Sequence, residues 1–384
     1  MRNICIVIME SVWWNPRVRK QILSYNNEKD ISISCIGFMD TRYSKEKVEE
    51  VPCDTNIVTI DKNLYGKQKS IIRKLKRDIT RFKAVRNAII EKKPEIIHAN
   101  NLDALIPAYL AKRKLGCKLI YDSFEINAEN YTGKRRALYS NTCTIIERFI
   151  VKRVDLMIAV SNAAADYFEK KYKITRPMVI TNSVLENEII GSTKTIDDDD
   201  QIEVLNHGRF YDGRGYDVMA KANRYFVDQP NIHLALRGFG EMEMELRDIV
   251  NSNPNSNSFR FYPKVRVDEL IPLASKSNIG VAITEPICLN FLLSVSNKIF
   301  EYAAAGLPVI MSNIPEHEYL NEKYNFGVVL DDDTPESFVK AVNSIIESSS
   351  NYSLLSKNAL TMSYDLCWEK SFSNLLKFER SLII

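Results

Sequence analysis

Ser296-Asn297-Lys298-Ile299-Phe300-Glu301-Tyr302-Ala303-Ala304-Ala305-Gly306-Leu307-Pro308-Val309-Ile310 is the stretch on which the reading of the chain turns. The spacing predicts a helix over 296–305, with Ser296 at its N-terminus and Gly306 as its stop. Pro308 then opens a short apolar strand, 308–311. One helix followed at once by one buried strand is the repeating step of an α/β fold. The N-terminus of such a helix presents unpaired N–H groups and the positive end of its dipole, a place where a diphosphate fits. Glu301 follows about a turn and a half later, where its carboxylate can accept from the vicinal hydroxyls of a ribose.

The same step recurs on both sides of this stretch. Strands are expected at 3–8, 31–38, 56–60, 95–98, 118–122, 155–160 and 178–181, with helices at 16–25, 68–92, 103–115, 135–153 and 162–172 between them. A second series places strands at 202–206, 232–236, 258–262, 278–283, 308–311 and 326–330, and helices at 215–227, 241–250, 267–275, 296–305, 315–322 and 335–347. Many of the strands are continuous apolar runs, as in parallel sheets covered on both faces. Two such series imply two doubly wound, Rossmann-like domains facing a cleft. The expected division is 1–182 for the first domain, 183–201 for a polar linker and 202–363 for the second. A final amphipathic helix, 364–384, crosses back to the first domain.

The 384 residues carry 52 Lys+Arg and 49 Asp+Glu, a net charge of +3 that hides a split. Residues 1–182 hold 34 basic and 20 acidic side chains, and residues 183–384 hold 18 and 29. With 13 Gly and 13 Pro, collagen-like and low-complexity classes are excluded. No apolar run reaches the 18 or so residues of a membrane span. The seven scattered cysteines contain no C-x-x-C pair and the four histidines are dispersed, so neither a disulfide framework nor a zinc site is expected. Cytoplasmic, reduced thiols follow. No metal and no cofactor are expected.

Two further segments carry chemistry. His207-Gly208-Arg209-Phe210-Tyr211-Asp212-Gly213-Arg214-Gly215 follows an apolar strand, and Arg209 and Arg214 are expected to converge on one anion from a glycine-containing loop. Leu234-Ala235-Leu236-Arg237-Gly238-Phe239-Gly240 is a second strand-to-glycine junction. It lacks the third glycine and spaced acid of a dinucleotide fingerprint, which excludes a nicotinamide enzyme.

Taken in order, G-R-x4-R-G, strand-R-G-F-G and S-N-K-I-F-E-Y-A-A-A-G-L-P-V-I resemble the C-terminal half of a GT-B glycosyltransferase of family 4. The first half agrees through Trp14-Asn15-Pro16-Arg17-Val18-Arg19-Lys20, Pro94-Glu95-Ile96-Ile97-His98-Ala99-Asn100, Tyr121-Asp122-Ser123-Phe124-Glu125 and Val179-Ile180-Thr181-Asn182-Ser183. The resemblance implies a sugar transfer from a nucleotide-sugar with retention of configuration and without a metal. Arg209 and Arg214 then match the basic pair on the donor diphosphate. Ser296, Asn297 and Lys298 match the stretch whose backbone meets the phosphates, and Glu301 the ribose ligand. Gly208, Gly238 and Gly240 line the donor site, and Val265 lies near the base.

Two positions depart from the family pattern. Leu293 stands where the family often has a Glu that contacts the donor sugar, and Glu285 takes that place only if its loop folds back. Phe124 stands at the family's usual His, leaving Glu125 as the polar group beside the transferred sugar. On the acceptor side, Trp13, Trp14, Arg17, His98, Asn100 and Asp103 are the expected contacts.

The segment 67–93 holds eleven Lys/Arg against Asp78 and Glu91 along a helical apolar stripe. Lys69, Arg73, Lys74, Lys76, Arg77, Arg81 and Lys83 are expected to face anionic lipid headgroups. No interleaved aromatics or known module point to nucleic acid. The expectation is therefore a glycosyltransferase at the inner face of the cytoplasmic membrane. It would act on a lipid-linked glycan in surface polysaccharide (O-antigen or capsule) synthesis. A nucleotide-sugar epimerase of the same fold and a catalytically silent nucleotide-binding subunit are the competing readings.

Overall fold

The computed structural model describes residues 2–10, 12, 15–38, 71–129, 136–197 and 200–382. The expected strand at 56–60, the residues Trp13, Trp14 and Lys69, and Cys53 lie outside them. The chain forms two compact units, Met1–Ile180 with Phe372–Ile384, and Thr181–Ser371.

In the first unit the strands are β1 (Arg2–Ile8), β2 (Ile31–Ile36), β3 (Ile96–Asn100), β4 (Lys118–Ser123), β5 (Leu156–Ala159) and β6 (Met178–Val179). Between them lie α1 (Pro16–Asn26), α2 (Ile71–Lys92), α3 (Asn101–Leu115), α4 (Arg136–Val151) and α5 (Asn162–Tyr172). All strand pairs are parallel, in the order β2-β1-β3-β4-β5-β6. Ile4, Cys5, Ile6 and Val7 on β1 and Ile96 and Ile97 on β3 are buried, because helices cover both faces. Local signals set the helix ends. The Asn15 side chain accepts from the Arg17 and Val18 amides ahead of Pro16, and Gly116 closes α3 in the left-handed region.

The second unit repeats the plan with β7 (Ile202–Phe210), β8 (Ile232–Gly240), β9 (Phe259–Pro263), β10 (Ile279–Ala282), β11 (Val309–Met311) and β12 (Gly327–Val329). Its helices are α6 (Tyr216–Ala222), α7 (Glu243–Asn251), α8 (Val267–Ala274), α9 (Leu289–Leu293), α10 (Asn297–Ala304), α11 (Pro315–Tyr324), α12 (Pro335–Ile346) and α13 (Ser349–Asp365), while α14 (Trp368–Leu382) starts in this unit and belongs to the first from Phe372 on. The parallel order is β12-β11-β10-β7-β8-β9. Winding therefore reverses between β7 and β10, and between β1 and β3 in the first unit. Ligands of open α/β sheets bind at the carboxyl ends of strands flanking such reversals.

Four differences from the sequence expectation have physical causes. The segment 183–201 is no free linker, since Val184, Ile189 and Ile196 are buried in the second unit. No helix is expected over 349–365, but Ser348 accepts from the Asn351 amide and α13 starts there. The last helix consequently begins at Trp368 rather than 364, and its end returns to the first unit. There Phe372 packs edge-on against Tyr25 and Arg380 pairs with Glu28. Finally, β7 and β8 run on through their glycines, with Gly208 opposite Gly238 and Phe210 opposite Gly240. A Cβ on Gly238, whose φ is 148°, would lie 1.8 Å from the Gly208 carbonyl oxygen. Only glycine lets the two backbones approach this closely.

Candidate active site

The carboxyl ends of β7 and β10 gather the polar groups of the second unit. Asn206 and His207 end the buried part of β7, Arg214 stands in the turn before α6, and Thr284 follows β10. The first turn of α10 adds Lys298, only 9% exposed. Its ammonium lies 2.7 Å from Asn206 Oδ1 and 4.8 Å from the centre of the Tyr216 ring. Burial, reinforced by the Arg214 charge, pushes the lysine down to about 7.

Arg214 is held edge and face. Its guanidinium lies 4.2 Å from the Phe291 ring centre and 5.2 Å from that of Tyr211, and Nη1 donates to Thr284 Oγ1 at 3.3 Å. Its Nε is buried without an acceptor. Among the described residues neither Arg214 nor Lys298 meets a carboxylate at ion-pair distance. A buried lysine and a half-buried arginine, neither in an ion pair, favour the arrival of an anion.

Glu301, one turn along α10, is pinned rather than free. Its Oε2 lies 2.7 Å from His207 Nε2. A carboxylate only accepts, so Nε2 carries the proton, and the buried Nδ1 is left without a partner. The His207 ring lies 4.5 Å from Tyr302, whose hydroxyl accepts the His207 amide at 2.9 Å. Ser296 is the N-cap residue of α10 but its side chain makes no cap bond, which leaves the first helical amides for a ligand. His317 is buried behind this site. Its Nδ1 lies 3.0 Å from the Ser312 carbonyl oxygen, and burial pushes it down to about 4.

The equivalent edge of the first unit is built differently. Arg17 Nε donates to Asp122 Oδ2 at 2.8 Å and Nη1 to the Ile180 carbonyl at 2.9 Å, both side chains being almost fully buried. Gln21 Nε2 donates to Asp122 and to Asn100 Oδ1, and His98 lies between Gln21 and Tyr25. Burial alone would raise the Asp122 carboxyl, but Arg17 and His98 hold it below the usual range. Outside this network, Glu10, Asp103 and Glu125 follow β1, β3 and β4. Asp103 keeps open surface, and protein crowding with the Glu10 carboxylate pushes its carboxyl up. Glu125, half-buried, is pushed up by burial and then by Glu10 and Asp103.

Comparison with known proteins follows this geometry. The family model described as Glycosyltransferase Family 4 matches residues 44–185, and Glycosyl transferases group 1 matches residues 201–348. Each model covers less than half of the chain, so the two segments are similar to these glycosyltransferase families one by one. An uncharacterised glycosyltransferase of Methanocaldococcus jannaschii is 25% identical over 248 residues, which span 61% of this chain and 61% of that relative. Among solved structures, Anabaena HepE in complex with UDP aligns with a TM-score of 0.74 at 17% identity, covering 99% of this chain and 100% of that one. Sucrose-phosphate synthase of Thermosynechococcus elongatus gives 0.77 at 15% identity, over 100% and 99%. These likenesses establish the two-domain GT-B fold.

In the second unit the expected donor residues lie along one sheet edge. Gly208, Gly238 and Gly240 occupy the ends of β7 and β8, Val265 follows β9, and Ser296, Asn297 and Lys298 open α10. Arg209 does not join Arg214. It sits on β7 with its side chain 60% exposed and paired to Glu241 at 2.8 Å, because the strand continues through Gly208. Glu285 does not fold back toward Glu301 either. It borders an open hollow of about 510 Å³ with Asp217, Lys221 and Asp333, and burial with those acids pushes it up.

Arg17, His98 and Asn100, expected on the acceptor side, belong to the buried network. On the expected cationic helix, Arg77 pairs with Asp78, and Arg81 donates to the Met9 carbonyl and lies over Phe38. Both are turned inward, while Lys76 and Lys83 are exposed; Arg73 and Lys74 lie in α2. The sequence reading missed the side chain of Lys298 and the clasp of His207 on Glu301. A lysine three residues before a glutamate on a mostly apolar helix was the available signal. Among the described residues no group of His, Cys, Asp and Glu converges as metal ligands do.

Proposed function

We propose that this chain transfers a sugar from a nucleoside-diphosphate sugar to a lipid-linked glycan acceptor in surface polysaccharide assembly, without a metal and with retained configuration. The observation that carries the donor class is a pair of cations, the buried Lys298 and the half-buried Arg214, neither at ion-pair distance from a described carboxylate, beside the uncapped N-terminus of α10. A leaving diphosphate supplies the missing negative charge, and fixed cations there favour its departure without reorganising. Glu301, oriented by His207, accepts from the ribose hydroxyls. Structures of the Anabaena neighbour with UDP and with UDP-glucose make uridine donors the first to try. Retention rests on the family resemblance. In that course the departing phosphate takes the acceptor proton on the same face of the sugar. On the acceptor side, Glu125 and Asp103 are the carboxyl groups nearest the ends of β4 and β3. No helix among the described residues is long and apolar enough to cross a membrane. The proposed place of work is the cytoplasmic face of the membrane, held peripherally.

The test is incubation of the purified chain with uridine and guanosine diphosphate sugars, with and without a lipid-linked oligosaccharide, followed by mass spectrometry. A lengthened glycan supports transfer. An isomerised donor would indicate an epimerase instead, and UDP binding without conversion a silent subunit. Glu301→Ala is expected to weaken UDP binding about 10- to 100-fold, the loss of charge-assisted hydrogen bonds. Unchanged affinity removes the ribose assignment.

A further inference from the structure

We propose that the α3–α4 face of the first unit, rather than the cationic α2, is the surface that docks on a bilayer bearing anionic headgroups. Ile145 and Phe149, one turn apart on α4, are 69% and 53% exposed, and Leu110 on α3 is exposed beside them in the helix pair. Tyr109 meets Phe149 edge-on at 6.1 Å, so the apolar surface is continuous from one helix to the other. Single exposed apolar residues are ordinary, but large ones on neighbouring helices mark an interaction surface.

The charge around them selects the partner. Arg113, Arg148, Lys152 and Arg153 are exposed at the rim, and the Arg153 guanidinium lies 3.9 Å over the Phe149 ring. The only carboxylate from 136 to 153 is Glu147, and it is wholly buried between the hydroxyls of Tyr121 and Tyr172. Asp155, next along the chain, is paired with Lys112 and Lys118. The outer face of α4 therefore combines large apolar side chains with charge of one sign. That is the composition of a helix lying in the headgroup region of an anionic membrane. By contrast, α2 spends Arg77 and Arg81 on internal contacts. The proposal deepens the lipid-linked acceptor reading, because it brings the first unit to the surface where such an acceptor lives.

The experiment is co-sedimentation of the full chain with phosphatidylcholine vesicles and with vesicles of phosphatidylcholine mixed with phosphatidylglycerol. Wild type is expected to bind the mixed vesicles, less so at high salt. Arg148→Glu with Lys152→Glu is expected to lower partitioning more than tenfold, at about fivefold per cation lost. Ile145→Ser with Phe149→Ser is expected to lower it to a similar degree. Lys76→Glu with Lys83→Glu should change it less, and circular dichroism should show all variants folded. Equal binding to both vesicle types, or loss confined to the α2 variant, overturns the proposal. So does a concentration-dependent dimer that Phe149→Ser abolishes, since the face is then an interface between copies. The two readings fail separately. Transfer to an acceptor in detergent without vesicle binding leaves the function standing, and vesicle binding without any turnover leaves the surface standing.

Discussion

The carboxyl edges of the two sheets invert the charge of the halves that carry them. The first 182 residues hold a large basic excess, yet their strand ends present Glu10, Asp103 and Glu125, with Arg17 neutralised by Asp122. The remainder is acidic overall, yet its strand ends present Arg214 and Lys298 without counter-ions. Net charge thus describes surfaces, while the sign at a site is set by which side chains the sheet reversal collects. The first edge pairs its buried arginine with a carboxylate and reads as scaffold. The second is unsatisfied and reads as a binding site.

The largest effect should come from breaking the paired edge. Arg17→Ala leaves the Asp122 carboxylate buried without its cation and is expected to cost about 3–5 kcal/mol of stability. Denaturant unfolding measures it, and UDP affinity should be unchanged; a loss below about 1 kcal/mol would show that the network is not a scaffold. Next, Arg214→Ala is expected to lower turnover about 100- to 1000-fold, as loss of one fixed donor at a developing charge does. Steady-state kinetics on the identified donor decides, and a change confined to KM would assign the arginine to ground-state binding only.

The third prediction concerns pH. Lys298 is depressed to about 7 in the free protein, and a bound diphosphate raises it again. Below pH 7 the lysine is already charged and UDP binds without proton uptake. Above pH 7 each molecule bound must recruit a proton, so Kd should rise by up to about tenfold per pH unit. Titration calorimetry in buffers of different ionisation enthalpy reads the uptake, and Lys298→Met should flatten the profile above pH 7. For stability the direction follows from the lowered folded value. The unfolded chain binds the extra proton between about 7 and the free lysine value, so this group costs stability below pH 7 and the cost fades as pH rises. The smallest effect is expected at Arg209. Exposed and paired with Glu241, its replacement by Ala should change UDP affinity by less than about fivefold. A loss like that of Arg214→Ala would mean that the side chain swings in on binding.

The strands were legible because parallel sheets covered on both faces demand continuous apolar runs, and Ile4–Ile8 or Ile232–Leu236 can hardly be anything else. The site was half legible. Glu301 and the start of α10 stood out through capping and spacing, whereas Lys298 looks like one more charge until its side chain is seen turned into the fold. Direction was the missing variable again on α2, where sequence counts cations but cannot show that Arg77 and Arg81 turn inward. Arg209 was misplaced for a backbone reason, because glycines that usually end a strand here prolong one. The helix α13 was not read at all, although Ser348 caps its start.

The meeting of Gly208 and Gly238 also constrains how this protein can diversify. The obstacle to any side chain at 238 is a main-chain oxygen, so no compensating substitution on the neighbouring strand relieves it. A change of side chain near that point is therefore open at neighbours such as the exposed Phe239, while the crossing itself admits only glycine.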